Sequence, residues 1–220
     1  MKTQETASRK AAIVGLALVT IAFAAGGTLL GEVFGSSGDS DQTFIQHYSS
    51  PGNRIGDMVG SALLIVAGAA ILVSVVAVRR LLAPVNSLST DLFSSSGLTA
   101  AVLLMVAGAL FLTTPFSISF GGVFDDDGQF AGGHAAVLPQ AATFLVAFAA
   151  MPMAAFAIVS LGFANRACKL FPHWHTVLGL VCSALLLLAL SGVAGFALPI
   201  WTAATAVALW RGRRHLPLDM

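Results

Sequence analysis

Four stretches of the chain, 11–34, 57–78, 97–118 and 137–163, carry no charge in their central part. Each supplies the ~20 apolar residues that a helix needs to cross ~30 Å of hydrocarbon. A chain with four such runs is built for lipid as its solvent, where every backbone polar group has to be satisfied inside a helix or a closed barrel. The composition agrees: 57% of the 220 residues are hydrophobic and 10% are charged, against ~25% charged in a soluble domain. A soluble enzyme, a disordered chain and a nucleic-acid binder are thereby excluded as function classes. The net charge of +1 offers no field to steer an ionic partner.

The C-terminal apolar region, 172–210, has 39 residues and as one helix would be about 58 Å long. Ser191, Gly192, Val193, Ala194 and Gly195 form a glycine-bearing break within it, which divides it into spans at 172–191 and 195–210. Charge placement chooses between six spans and five. Six spans put Lys2, Arg9, Lys10, Arg79, Arg80, Arg166, Lys169, Arg211, Arg213 and Arg214 on the inner side and leave Arg54 alone outside. Five spans, with the last region as a single long helix, move three arginines outward and weaken that asymmetry. Lysine and arginine are retained on the cytoplasmic side, so the expectation is a single all-α domain over 1–220, with six transmembrane helices and both termini cytoplasmic. Ala22-Phe23-Ala24 resembles a signal-peptidase site, yet the apolar run continues to Leu30, and an uncleaved span is expected.

Small residues mark helix contacts in lipid. Gly27, Gly31 and Gly35 recur every fourth residue, which suits a close contact within the bundle or, as the alternative, between two copies. The decapeptides at 63–72 and 103–112 match at seven of ten positions, a likeness that a limited alphabet of Ala, Gly, Leu and Val also produces. Pro152 predicts a kink in the fourth span, since proline removes one helical hydrogen bond. Trp174 and Trp210 fall at the inner boundary and read as interfacial anchors.

Ionisable residues inside the bilayer are the usual pointers to function, and the central depth of these spans has none. Glu32 ends the first span, Asp57 opens the second, and Arg54 precedes Asp57 by one turn, so the three meet at the outer mouth as a candidate ligand site. Plain helix-end electrostatics is the alternative for Asp57 and Arg54. The acidic run 125–127 lacks the spaced oxygens of a calcium loop, with Ala136 where a glutamate would close it. His173 and His175 flank Trp174 and are expected to snorkel at the interface; with His134 external and these two at the cytoplasmic edge, they cannot clamp one haem. Gly35-Ser36-Ser37-Gly38 matches a GxSG pattern but stands in a polar stretch with no histidine base in a span. No HExxH, phosphate loop or intramembrane lysine is present, Cys168 and Cys182 are expected as free thiols, and neither a cofactor nor a metal is expected.

The run from Phe171-Pro172-His173-Trp174-His175, the segment Phe196-Ala197-Leu198-Pro199-Ile200-Trp201, the basic tail from Trp210, and Tyr48-Ser49-Ser50-Pro51-Gly52-Asn53-Arg54 together resemble a group of uncharacterised bacterial six-span membrane proteins of actinobacterial type. The resemblance implies six spans in a bacterial plasma membrane and implies no activity. Three function classes follow: a small-molecule or lipid binder or transporter without proton coupling; an accessory subunit that packs with a membrane-protein partner or a second copy; and, last, an intramembrane enzyme. Membrane lipid is the partner common to all three.

Overall fold

The computed structural model describes residues 2–31, 46–84, 87–120, 137–188 and 196–212, and every regular element among them is helical. The elements are α1 (Lys2–Leu29), α2 (Pro51–Leu81), α3 (Leu88–Phe120), α4 (Val137–Leu145), a π-helical turn (Val146–Ala150), α5 (Met151–Cys168), α6 (His173–Leu187) and α7 (Ala197–Arg211). Helix α4, the π turn and α5 form one continuous rod. Four rods are long and apolar enough to cross a membrane: Gln4–Leu29, Pro51–Leu81, Leu88–Phe120 and Val137–Cys168. The C-terminal region is not one long helix; it forms two helices of 15 residues each, packed on one another.

The rods overrun the apolar stretches that predict them. Helix α2 has 31 residues and is about 46 Å long, so both its ends project past ~30 Å of hydrocarbon. Helix α3 begins at Leu88 rather than 97, because the polar residues ahead of the span stay helical: Ser94 and Thr99 donate their hydroxyls to the carbonyls of Thr90 and Ser95, one turn back, at 3.0 and 2.9 Å.

Consecutive rods pack in chain order, and α7 closes back on α1, giving a ring of six. Neighbours run antiparallel. Gly15 lies against Ser74 and Gly26 against Gly60, so α1 and α2 are opposed; Gly162 meets Thr176 while Ser183 bonds Ala155 O, so α5 and α6 are too. His175 meets Thr205 and Gly179 meets Trp201 across α6 and α7. Thr20 and Thr202 share a 2.9 Å hydrogen bond across the closing seam, and a Cβ built at Gly212 would touch Arg9. The described beginning and end of the chain therefore lie at the same end of the ring. With them lie Arg79 and Arg80 at the end of α2, and Arg166 and Lys169 at the end of α5. Arg54 stands at the opposite end.

The outside of the ring is apolar. Ile21, Val66, Val106, Phe148, Phe156 and Ile200, spread over five of the six rods, are all exposed. The inside carries alanines together with Ser61, Ser74, Ser160, Ser183, Thr202 and Thr205, all buried. Small hydroxyl side chains cost little there because each can return its proton to a carbonyl of its own helix, as Ser74 does to Ala70 O at 2.7 Å.

The tightest seam joins α2 and α3. A Cβ at Gly68 would fall 2.7 Å from Ala101 O and 2.6 Å from Met105 Cγ; one at Gly108 would fall 2.9 Å from Ser61 O and 2.8 Å from Ile65 Cγ1. These contacts are reciprocal: the glycine of each matching decapeptide rests on the equivalent pair of residues in the other helix. The likeness of the two decapeptides thus serves one local twofold packing. Along α1, by contrast, the contact glycines are Gly15 and Gly26. Among the described residues nothing comes within 4 Å of a Cβ at Gly27 or Gly31, so the expected intramolecular contact of that stripe is not made there; Gly35 lies outside the described residues.

The distortion predicted at Pro152 takes the form of the π turn just before it. A proline ring clashes with the carbonyl four residues back, here Phe148, and the wider turn gives that carbonyl room. Between α5 and α6 the chain turns through Lys169, a non-glycine residue with φ of 49°. Asn165 clamps this turn: it accepts from Phe171 N at 2.7 Å and donates to Phe171 O at 2.9 Å.

Candidate functional site

The end of the ring opposite the basic residues is built on the first two turns of α2. Pro51 at the start supplies a preset φ and no N–H, which suits the first helical turn. The preceding residues fold back over this turn, and Asn53 fixes them by donating its amide to His47 O at 3.1 Å and to His47 Nδ1 at 3.3 Å. His47 Nε2 then meets Asp57 Oδ2 at 2.9 Å.

The bond network assigns the imidazole tautomer. Asn53 Nδ2 can only donate, and its bond to the His47 carbonyl fixes which way the amide faces. His47 Nδ1 is therefore the acceptor, Nε2 carries the hydrogen, and the Asp57 carboxylate receives it. Asp57 is 2% exposed, and its backbone carbonyl also accepts from Ser61 Oγ at 2.6 Å. Tyr48 is buried edge-on to His47, with ring centroids 5.1 Å apart. Burial, and secondly the Asp57 charge, push the Tyr48 hydroxyl above its ordinary value of 10.

Of the residues that sequence alone assigns to this mouth, Asp57 and Arg54 are both on α2, with Asp57 buried and Arg54 half-buried. Glu32 lies outside the described residues, as do the GxSG residues, the run 125–127 and His134. The side chain found bonded to Asp57 is His47, not Arg54. Arg54 has no ion pair among the described residues. Sequence reasoning passes over His47 and Tyr48 because they are ten and nine residues ahead of Asp57, and nothing in the local pattern shows that the chain returns across the helix end. A usable signal is Asn53: an amide one turn before a buried acid, in the first turn after a proline, is a ready clamp for whatever precedes it.

A second polar group sits in the α6–α7 hairpin. His173 and Trp174 are exposed, as expected of interfacial residues, but His175 is buried and does not snorkel. It stacks on Phe171 at 4.5 Å and 17°, lies 5.8 Å from the Trp201 ring, and bonds Thr205 Oγ1 at 2.8 Å. Thr205 spends its own proton on Trp201 O at 2.8 Å, so the histidine is the donor. Residues two apart on a helix point about 200° apart, so His173 and His175 cannot share one environment. The arrangement is a polar tie between α6 and α7, with no open coordination position. Among the described residues no group of three or more His, Cys, Asp or Glu side chains is placed to hold a metal. Cys168 is half-buried, Cys182 is buried, and the two are not bridged.

The ring also encloses a cavity of about 50 Å³ lined by α1, α2, α3, α5 and α7. That is far below the ~300 Å³ at which small-molecule pockets begin. Its lining hydroxyls are those of Ser74, Thr202 and Thr205, each already donating to a carbonyl of its own helix; Trp201 also lines it, and its buried indole N–H has no hydrogen-bond partner among the described residues. This central cavity is therefore too small for a substrate.

No family model, curated protein or solved structure matches this chain. The geometry of the mouth stands as the guide to function.

An immediate test of that geometry uses the fact that Tyr48 is the only tyrosine. Ultraviolet titration of the folded protein should place its ionisation above pH 10. Because the folded value is raised, the stabilisation is present below pH 10 and is lost as pH rises beyond it. Asp57→Asn should lower the midpoint only in part, since burial is the larger cause. A midpoint at or below 10 in the folded protein contradicts the buried placement of Tyr48.

Proposed function

We propose that the chain is a six-span protein of a bacterial plasma membrane, with both ends cytoplasmic, that binds a small molecule or lipid headgroup at its outer mouth without proton coupling. The apolar exterior and the four long helices support the membrane setting. The gathering of Arg9, Lys10, Arg79, Arg80, Arg166, Lys169 and Arg211 at the end opposite Arg54 supports the orientation. With 15 residues each, α6 and α7 are about 22 Å long, and their antiparallel pairing supports a short re-crossing hairpin.

One observation carries the binding reading. At the mouth the buried acid is already satisfied by His47, whereas the half-buried Arg54 guanidinium is left without an ion pair among the described residues. Among the described residues the unspent valence of the site is a cation, and the ligand it suits is an anion: a carboxylate, or a phosphate that a planar guanidinium grips with two parallel hydrogen bonds. Asp57 and His47 then act as the rigid support that holds the first turns of α2, rather than as proton carriers. Binding of a soluble phosphomonoester to the protein in neutral-lipid nanodiscs, followed by calorimetry, tests this. Arg54→Gln should weaken it by about tenfold or more, the scale of one charge-assisted contact. Asp57→Asn should weaken it less, by loosening the support. Unchanged binding in both variants would sink the site.

The stripe at Gly27 and Gly31 favours a second reading, an accessory subunit or a homo-oligomer, because a Cβ built at either glycine has no atom of the described ring within 4 Å. Disulfide trapping between copies carrying Gly27→Cys, in a chain lacking its own two cysteines, distinguishes it: a specific dimer supports that reading, and its absence removes it.

A further inference from the structure

We propose that the groove between α1 and α2 at the basic end of the ring is a site for one anionic phospholipid. The inference rests on the membrane setting proposed above and not on the ligand reading of the mouth.

The groove has a volume of about 550 Å³. It exists because the residues that face it are small: Ala7, Ser8 and Ala11 on α1, with Ala69 and Ala77 on α2. Its two ends differ in chemistry. At the basic end stand Arg80 and Gln4, both exposed, and the rest of its α2 wall is apolar, through Val76, Val73 and Leu72 to Ala69. Arg80 has no ion pair among the described residues, whereas its neighbour Arg79 is held by Asp91 at 3.3 Å. The described charges at this end are predominantly basic: Glu5 and Asp91 face the seven lysines and arginines already named.

Length decides between a headgroup alone and a whole lipid. Arg80 and Ala69 are eleven residues apart, about 16 Å along the helix, and half of a ~30 Å hydrocarbon layer is ~15 Å. The slot therefore begins at headgroup level and ends near the middle of the bilayer. A free phosphate would meet the guanidinium but leave the apolar wall uncovered. A phospholipid covers both, with its phosphodiester on Arg80 and one acyl chain along Val76 and Val73. The uncompensated positive charge selects a lipid of net negative charge over a zwitterionic one.

The test uses the full chain in phosphatidylcholine nanodiscs carrying trace spin-labelled phosphatidylglycerol or spin-labelled phosphatidylcholine, and reads the motionally restricted fraction of each. One arginine near the surface corresponds to a preference of about fivefold for the anionic lipid. Arg80→Gln should abolish that preference while leaving some restricted lipid of both kinds. Ala69→Phe, which fills the deep end of the slot from an exposed position and leaves the charge alone, should reduce the restricted fraction of both. Helix content and melting temperature of the two variants should match the parent. A preference that survives Arg80→Gln overturns the assignment, and so does a restricted fraction untouched by Ala69→Phe. A disulfide-linked dimer formed through Val73→Cys would place a second copy in the groove and also overturns it. Arg54→Gln, at the other end of the ring, should leave the lipid preference intact whatever it does to ligand binding at the mouth.

Discussion

Replacing His47 by alanine is expected to destabilise the folded protein by about 2–3 kcal/mol, the range for removing a hydrogen bond to a charged group. The loss falls on Asp57, which is 2% exposed and would be left as a buried carboxylate without its 2.9 Å donor. A second substitution isolates the cause. Asp57→Asn removes the charge but keeps an oxygen to accept from His47 Nε2, so alone it should cost less than His47→Ala. In the double variant the buried charge no longer exists, and part of the His47→Ala penalty should be recovered. Denaturation in detergent, followed by circular dichroism for the four proteins, reads these differences. Strict additivity would mean that His47 supports the mouth by packing alone.

The second large effect is expected at the α2–α3 seam. Gly108→Leu drives side-chain atoms into Ser61 O and Ile65, and Gly68→Leu does the same at Ala101 O and Met105. Helix backbones give way less readily than side-chain ends, so each should exceed the ~1–3 kcal/mol typical of core overpacking and separate the two helices. Gly27→Ala is the internal control, because a methyl there meets open space; it should be neutral or stabilise by up to ~1 kcal/mol through helix propensity. If Gly27→Ala were the damaging change and Gly108→Leu were tolerated, the helix phases described here would be wrong.

These two regions show what this sequence discloses and what it withholds. The long rods are written plainly, since hydropathy over twenty residues hardly depends on neighbours. The break between α6 and α7 is also legible, because glycines in a region too long for one span have few other uses. Helix ends are less so: Pro51 and Ser94 look like connecting segments, yet the helix runs through them wherever a proline sits in the first turn or a hydroxyl bonds back to its own helix. Which face of a rod meets its neighbour is a matter of 100° per residue. That is why Gly26 and not Gly27 touches α2, and why His175 turns inward beside an outward His173. The shared decapeptide holds more information than its simple composition suggests, because its glycine is used twice in one symmetric contact. The pairing of His47 with Asp57 is the least visible feature: it depends on a return of the chain across a helix end, and no periodicity encodes that.

Arg54 and Arg80 stand without ion pairs among the described residues at opposite ends of the ring, one beside a buried acid and one above an apolar slot. On the proposed reading, the bundle carries its specificity at its two surfaces rather than along a central path.

The central claim, an even number of crossings with the mouth outside and both chain ends inside, is tested most directly by cysteine accessibility in intact cells. In a chain with Cys168 and Cys182 replaced, Gly52→Cys marks the mouth and Gly212→Cys marks the end of α7. A membrane-impermeant maleimide should label Gly52→Cys in intact cells and Gly212→Cys only after permeabilisation. Labelling of Gly212→Cys from outside intact cells would contradict the account.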